Sequence, residues 1–271
     1  MKSVFRLKSA IAAALLSGAA LAAQAAPTLW LSTGLNQLAT VDVANGNTTV
    51  IGLTIPFMAD IAFSPTGGLY GISFSQLYSI DKTNANTTLI GNLGGVSGTA
   101  NALVFGADGT LYMAGSTLYT LNISTGAATA VGLGIGKQSG GDLAFIGTTL
   151  YMAASDNDLV AVNTVTGVGT VVGAMGVGNM FGLATPDNAT LYGMSGQSVY
   201  TINTGTGAAA LVSNFTPTLG FAAGSAFETE SGAVPVAPTL SLTLLALAEI
   251  GRASCRKECV LSCRSRWSPY H

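Results

Sequence analysis

Short apolar runs, four or five residues long and separated by glycine, asparagine and serine, recur along this chain. The clearest stretch, residues 106–145, contains four of them, at 111–114, 118–122, 129–132 and 142–145. Runs of this length between turn-forming residues are typical of β-strands rather than helices. The same arrangement can be read five times between Thr28 and Phe227. The pattern therefore predicts a repeat protein built from strands.

The five copies align on a leucine followed by an aromatic residue in the first run. These pairs are spaced 40, 42, 39 and 41 residues apart: Leu29-Trp30, Leu69-Tyr70, Leu111-Tyr112, Leu150-Tyr151 and Leu191-Tyr192. Four short strands in a repeat of about 40 residues are typical of a propeller blade. We therefore predict an all-β, five-bladed β-propeller in which these pairs pack between blades. The alternatives are a parallel β-solenoid for the fold and a sugar-stacking platform for the aromatic rings.

The second run of each copy ends on an Asp or Asn that predicts a hairpin turn. A glycine follows four residues later in four copies, at Gly46, Gly126, Gly167 and Gly207. The Asx side chain can bond the backbone two residues on, and glycine adopts a positive φ without steric cost. The second copy has Ala85 at this position. A left-handed conformation there would cost roughly 1–2 kcal/mol.

The fourth run of each copy is small and apolar, as the crowded centre of a propeller requires. These runs are 59–63, 102–105, 142–145, 182–185 and 224–227. In period and strand order, residues 28–227 resemble propellers of the NHL and related extracellular kinds, in which the innermost strand comes first in each blade. With this phase the chain begins with three outer strands and ends with one inner strand. The last strand would complete the first blade in a 1+3 closure and leave no free edge.

The two ends of the chain predict export. Residues 1–25 have a basic start, an apolar stretch and a small-residue cleavage site, as in a secretory signal peptide. The alternative is an uncleaved membrane anchor, although the apolar stretch is short for a span. The propeller domain is predicted over residues 26–231.

Residues 232–248 combine a proline motif, Val234-Pro235 and 238–241, with an apolar run. This segment resembles the start of a PEP-CTERM or IPTL-CTERM sorting signal, but it has no Glu after Pro235. The resemblance implies handling by exosortase-type sorting machinery and delivery to the cell surface or matrix of a Gram-negative bacterium. Contact with the membrane would then occur only through this signal. A plain hydrophobic anchor is the alternative. Residues 249–271 resemble translated sequencing-adapter DNA and are excluded from fold reasoning.

Charge and composition exclude several function classes. Residues 26–248 contain ten acidic residues and two basic ones, a formal charge of about −8, whereas the whole chain carries −2. A body so poor in cations cannot neutralise many phosphates, so we expect no nucleic-acid binding. All three cysteines and the one histidine lie after residue 248. The propeller body therefore has no thiol nucleophile and no Cys/His zinc site, and we expect neither cofactor nor metal.

The loops that lead into the inner strands are the longest and the least alike, and variable loops on a rigid scaffold commonly bind ligands. They place five candidate ligand-binding residues near the channel mouth: Asp60, Asn101, Lys137, Asp142 and Asn179. Seven apolar residues are expected close by: Phe57, Met58, Met175, Met180, Phe181, Phe215 and Phe221. The alternative is that the polar residues only cap strands and the apolar ones fill the core. For the acidic turn at 156–158 there are two interpretations, a Ca²⁺ site or a solvated turn.

Two functions from different classes follow. The first is a non-enzymatic module that binds an extracellular glycan, polymer or protein on this loop-rich face. The second is a five-bladed glycosidase in which Asp60 and Asp142, on inner strands of non-adjacent blades, act as the catalytic carboxyl pair. That pair would need a separation of roughly 5–5.5 Å for a retaining enzyme or 6.5–9.5 Å for an inverting one.

Overall fold

The computed structural model describes residues 27–231. The predicted signal peptide, the sorting-like segment at 232–248 and the adapter-like segment at 249–271 lie outside the described residues and stay predictions.

Five four-stranded antiparallel sheets make up the described chain, and each sheet is one blade. The first blade contains β1 (Thr28–Thr33), β2 (Gln37–Asp42) and β3 (Thr48–Leu53) together with the last strand, β20 (Ala222–Phe227). The second contains β4 (Asp60–Phe63), β5 (Leu69–Ile72), β6 (Gln76–Ile80) and β7 (Thr87–Asn92). The third contains β8 (Ala102–Phe105), β9 (Leu111–Ala114), β10 (Leu118–Leu121) and β11 (Ala128–Val131).

The fourth blade contains β12 (Ser139–Ile146), β13 (Thr149–Ala154), β14 (Asp158–Val162) and β15 (Gly169–Ala174). The fifth contains β16 (Met180–Ala184), β17 (Leu191–Ser195), β18 (Ser198–Ile202) and β19 (Ala209–Asn214), and a short 3-10 helix, Pro217–Leu219, precedes β20. The prediction of an all-β, five-bladed propeller is confirmed. Among residues 27–231, no helix has the length and apolar character needed to cross a membrane.

The ring closes as the repeat phase predicts. β20 pairs antiparallel with β1, with Leu29 opposite Phe227 and Leu31 opposite Ser225. The sheet order β20-β1-β2-β3 puts the last strand at the centre of the first blade. The first blade is therefore held by both ends of the described chain, which is the predicted 1+3 closure.

Burial falls from the centre of each blade outwards. All residues of the inner strands β4, β8 and β20 are buried, whereas the outer strands β3, β7 and β15 bury none. The inner strands can consist of small apolar residues because packed neighbours surround them on every side. The outer strands are rich in threonine, with exposed β-branched side chains on a solvated face.

Aromatic pairs join neighbouring blades. The aromatic residue of the first run meets the inner-strand phenylalanine of the next blade at four of the five junctions. The ring centroids are 5.2–5.7 Å apart in Trp30–Phe63, Tyr70–Phe105, Tyr112–Phe145 and Tyr192–Phe227. The prediction that these pairs pack between blades is confirmed. At the fifth junction the residue equivalent to the phenylalanine is Thr185, which is buried.

A second set of inter-blade contacts depends on glycine. The turn glycine Gly167 has φ +72°, and a Cβ added to it would lie 2.1 Å from the carbonyl oxygen of Val131 in the preceding blade. A Cβ added to Gly126 would lie 2.8 Å from the carbonyl oxygen of Gly91, and one added to Gly207 would lie 2.4 Å from the carbonyl oxygen of Gly173. At these three positions the turn residue must therefore be left-handed and must also lack a side chain. Ala85 adopts φ +64° at the equivalent position, as the turn prediction requires.

The connections form two faces. One carries the loops that enter the inner strands together with the short turns at 34–36, 73–75, 115–117, 155–157 and 195–197. We call it the entry face. The opposite face carries the Asx-Gly turns and the turns that leave the inner strands.

Candidate functional site

Two of the five predicted site residues meet at the propeller axis. Asp60 is the first residue of β4, and Asp142 occupies the equivalent position in β12, two blades away. Both side chains are fully buried, and a hydrogen bond joins their carboxyl groups. The other blades have Ala102, Gly182 and Gly224 at this level. These small residues provide the space that the two carboxyl groups fill, because a Cβ on Gly224 would lie 2.2 Å from Asp60 Oδ1.

The carboxyl group of Asp60 bonds backbone amides of two inner strands. Its Oδ1 accepts from the N–H of Ile61 at 2.7 Å, and its Oδ2 accepts from the N–H of Leu103 in the next blade at 2.6 Å. Inner strands of different blades share no sheet ladder, so their axial amides need other acceptors. Asp60 supplies one and links β4 to β8.

The carboxyl group of Asp142 repeats this arrangement and extends it. Its Oδ1 accepts from the N–H of Leu143 at 2.6 Å, and its Oδ2 accepts from the N–H of Leu183 at 2.7 Å. The same Oδ2 accepts from Ser225 Oγ at 3.0 Å and from the N–H of Ser225 at 3.3 Å. Asp142 thus links β12 to β16 and β20. Together with the bond to Asp60, two carboxyl groups connect all five inner strands.

Burial sets the protonation of this pair. It raises the pKa of Asp142 to about 8, although the hydrogen bonds from Asp60, Leu183 and Leu143 oppose the rise. It also raises the pKa of Asp60 well above its usual range, and the neighbouring charge of Asp142 adds to that rise. Two carboxyl groups in contact inside a protein do not both ionise. The pair therefore holds at least one proton at neutral pH, and Asp60, whose pKa is raised by the charge of Asp142 as well as by burial, is the donor.

This geometry does not fit the glycosidase alternative. A glycosidase pair flanks the scissile bond, and its carboxyl groups are roughly 5–9.5 Å apart. Here Asp60 and Asp142 are hydrogen-bonded to each other, have no exposed surface and are occupied by backbone donors. No substrate atom fits between them. The prediction that both residues bind a ligand stays untested, but their visible contacts are those of strand-linking groups.

A third carboxyl group lies on the far side of the pair, towards the opposite face. Glu230 is 7% exposed, its Oε2 accepts from the N–H of Phe227 at 3.3 Å, and its Oε1 has no hydrogen-bond partner among the described residues. Burial raises its pKa, and the charge of Asp142 adds to the rise. It borders a cavity of about 260 Å³ whose aromatic lining residues are Phe105, Tyr112 and Phe145.

Above the carboxyl pair, the entry face opens into an aromatic pocket of about 220 Å³. Nine residues line it: Phe57, Ala59, Phe74, Asn101, Gly140, Gly141, Phe181, Phe221 and Ala223. Five of these immediately precede the axial layer: Ala59 before Asp60, Asn101 before Ala102, Gly141 before Asp142, Phe181 before Gly182 and Ala223 before Gly224. The pocket is therefore the mouth of the central channel, and the carboxyl pair closes the channel below it.

Four phenylalanine rings form the pocket walls. Phe57 and Phe74 lie 6.0 Å apart between ring centroids, and so do Phe181 and Phe221. Phe74 is 55% exposed and Phe221 is 45% exposed, so both rings stand at the rim. Together the four rings form one contiguous apolar surface, and contiguous exposed apolar surfaces commonly mark interaction sites.

Asn101 contributes a polar group to this pocket. The loop that enters β8 holds it, and its backbone N–H donates to the carbonyl of Ala114 at 3.1 Å. Its side-chain Oδ1 is buried and has no hydrogen-bond partner among residues 27–231. A buried acceptor without a donor costs about 1–3 kcal/mol. Asn101 is thus the one predicted site residue that lies in the pocket with an unused polar atom.

Lys137 and Asn179 lie away from the pocket, on either side of the 156–158 turn. Lys137 Nζ donates to Asp156 and, at 2.9 Å, to Asp158. The backbone N–H of Asn179 donates to Asn157 Oδ1 at 3.2 Å. The lysine therefore pairs with both of the carboxylates that would be the Ca²⁺ ligands. Within the described part of the chain, no group of three or more His, Cys, Asp or Glu side chains could hold a metal ion.

The sequence predicted only part of the pocket. Of the apolar residues expected at the channel mouth, Phe57, Phe181 and Phe221 line it, whereas four pack in the buried core: Met58, Met175, Met180 and Phe215. For these four the expected position was wrong, because their side chains point between blades. Phe74 was not predicted from the sequence as a pocket residue. Its position as an aromatic residue in a short turn of the same face could have indicated this.

The fold is shared with solved structures of distant sequence. One, from work on the de novo evolutionary emergence of a symmetrical protein, has a TM-score of 0.53 at 18% identity and covers 72% of this chain and 96% of its own. The nidogen/laminin complex has a TM-score of 0.50 at 13% identity, and the match covers 73% of this chain and 97% of the other. Virginiamycin B lyase from Staphylococcus aureus has a TM-score of 0.44 at 14% identity, and the match covers 72% of each chain. The first two likenesses show the fold alone. No protein-family model matches the sequence, and the comparison with curated proteins gave no significant match.

Proposed function

We propose that this protein is a secreted or surface-targeted binding module without catalytic activity, which recognises an extracellular partner through its entry face. The observation that carries the proposal is the aromatic pocket at the channel mouth. It combines four phenylalanine rings, of which two are about half exposed, with the unused acceptor of Asn101. A concave apolar site with a few polar groups is the usual form of a ligand site.

The scaffold supports this proposal because it holds the pocket rigidly. The residues of the pocket floor precede the axial layer directly, and the two carboxyl groups of that layer link all five inner strands. Recognition then needs little ordering of the scaffold on binding, which favours affinity. The predicted signal peptide and sorting-like segment support an extracellular setting, with exosortase-type machinery as a further partner.

The test is a binding screen with matched variants. The protein would be presented to a panel of extracellular polysaccharides and matrix proteins, alongside Phe74→Ala/Phe221→Ala. Ile123→Ala, which removes a 41% exposed apolar side chain on the opposite face, is the control. We expect the double variant to lose binding and the control to retain it, with both melting close to wild type.

Two results would contradict the proposal. Binding that survives the double variant but is lost in the control would place the site on the opposite face. Turnover of a panel member by the purified protein would show catalysis.

A further inference from the structure

The ligand chemistry of the aromatic pocket can be argued one step further, on the basis of the proposed function. Asn101 is the one polar side chain among the nine described residues that line the pocket. No charged side chain lines it. The ligand group that enters must therefore be neutral and largely apolar.

The unused Asn101 Oδ1 sets a second requirement. This atom is buried and lacks a hydrogen-bond partner among the described residues, so a ligand that brings one N–H or O–H donor would satisfy it. A ligand without a donor would leave the acceptor unpaired. The pocket thus selects for a group with an apolar body and one donor at its edge.

The walls set the shape. The paired rings Phe57–Phe74 and Phe181–Phe221, each at a centroid separation of 6.0 Å, offer ring faces and edges to a planar group. Aromatic rings prefer offset or edge-to-face neighbours at this range of distances. An apolar cavity of about 150 Å³ is known to take up benzene, so the 220 Å³ found here gives room for a bicyclic ring.

A sugar fits these requirements less well. A pyranose could stack on a phenylalanine face, but its ring carries several hydroxyl groups. With one polar side chain in the lining, most of the buried hydroxyls would lose water without gaining a partner, and each unpaired group costs about 1–3 kcal/mol. An indole ring has one N–H donor, no acceptor and two apolar faces.

We propose that the pocket binds a tryptophan side chain exposed on a protein partner, with the indole N–H donating to Asn101 Oδ1 and the ring held among the four phenylalanines. The partner is thus a protein rather than a polysaccharide. Tryptophan is also enriched among the residues that dominate binding energy at protein interfaces.

The experiment uses N-acetyl-tryptophanamide as a neutral probe, with its 1-methylindole derivative as the donor-free control. Binding to the full chain is measured by NMR titration. We expect Asn101→Ala to weaken binding of the probe three- to tenfold, the range for the loss of one hydrogen bond. The methylated derivative should bind the wild-type protein three- to tenfold more weakly than the probe does. Asn101→Ala should not weaken binding of the derivative any further, since the derivative cannot form this hydrogen bond even with the wild-type protein.

Phe74→Ala/Phe221→Ala should abolish probe binding, and Ile123→Ala should leave it unchanged. Equal affinity of the probe and its methylated derivative for wild type would refute the hydrogen bond. Probe binding that the double phenylalanine variant does not change would refute the pocket. If the probe fails to bind while a panel member still requires Phe74 and Phe221, this inference is wrong and the proposed function stands.

Discussion

The axial carboxyl groups give the sharpest test of how this ring is held together. Replacing Asp142 by Ala removes the acceptor for three buried backbone donors, the N–H groups of Leu143, Leu183 and Ser225. Replacing Asp60 by Ala removes the acceptor for two, the N–H groups of Ile61 and Leu103. Both variants also break the bond between the carboxyl groups.

The number of orphaned donors sets the expected magnitude. A buried donor left without a partner costs about 1–3 kcal/mol. Asp142→Ala should therefore lose about 3–9 kcal/mol and Asp60→Ala about 2–6 kcal/mol, against a total stability of roughly 5–15 kcal/mol for a domain. Asp142→Asn, which keeps one acceptor oxygen, should lie between wild type and Asp142→Ala.

The assay is urea unfolding followed by tryptophan fluorescence and circular dichroism, with stability taken from the midpoint and slope. Asp108→Ala is the matched control, because this aspartate accepts two hydrogen bonds from Thr110 in an exposed turn. It should lose less than about 1 kcal/mol. A loss for Asp142→Ala no larger than that of Asp108→Ala would refute the view that these carboxyl groups link the strands.

Four further outcomes are expected. The folded-state pKa values of the axial pair and of Glu230 are raised, so the folded state holds protons that the unfolded state releases. The free energy of unfolding should therefore be highest near pH 4 and fall as the pH rises to about 8. A denaturant midpoint that stays constant over this pH range would contradict these raised pKa values. Ala85→Gly should change the stability by less than about 1 kcal/mol, since relief of left-handed strain is offset by the added freedom of the unfolded chain and by the loss of a fully buried methyl group. Gly167→Ala, a change in the opposite direction, should destabilise it by more than 2 kcal/mol, and both shifts can be read by calorimetry. Truncation after Ser231 should leave the melting temperature unchanged. Truncation after Phe215 removes β20 and exposes the edge of β1, so the shortened protein should aggregate or melt at a far lower temperature. Equal melting temperatures for the two truncated proteins would contradict closure by β20.

The sequence by itself determined the architecture, because the features that fix it are local. Asx side chains and positive-φ glycines define each hairpin, and the spacing of the first-run leucines fixes the blade count. The phase of the repeat then places β20 beside β1, since any other closure would leave unpaired edges. Even the strained turn at Ala85 could be predicted, because it depends on a single backbone position.

Only the tertiary structure decided which side chains meet. Asp60 and Asp142 were placed on inner strands of non-adjacent blades, but their contact depends on how closely five blades pack around the axis. Small residues at the same level, such as Gly224, set that distance. Phe74 and Asn101 share a pocket although neither is near the other in the chain, and Lys137 reaches the 156–158 turn instead. Local patterns specify strands and turns, whereas contacts across a ring depend on side-chain direction and packing, which the repeat does not encode.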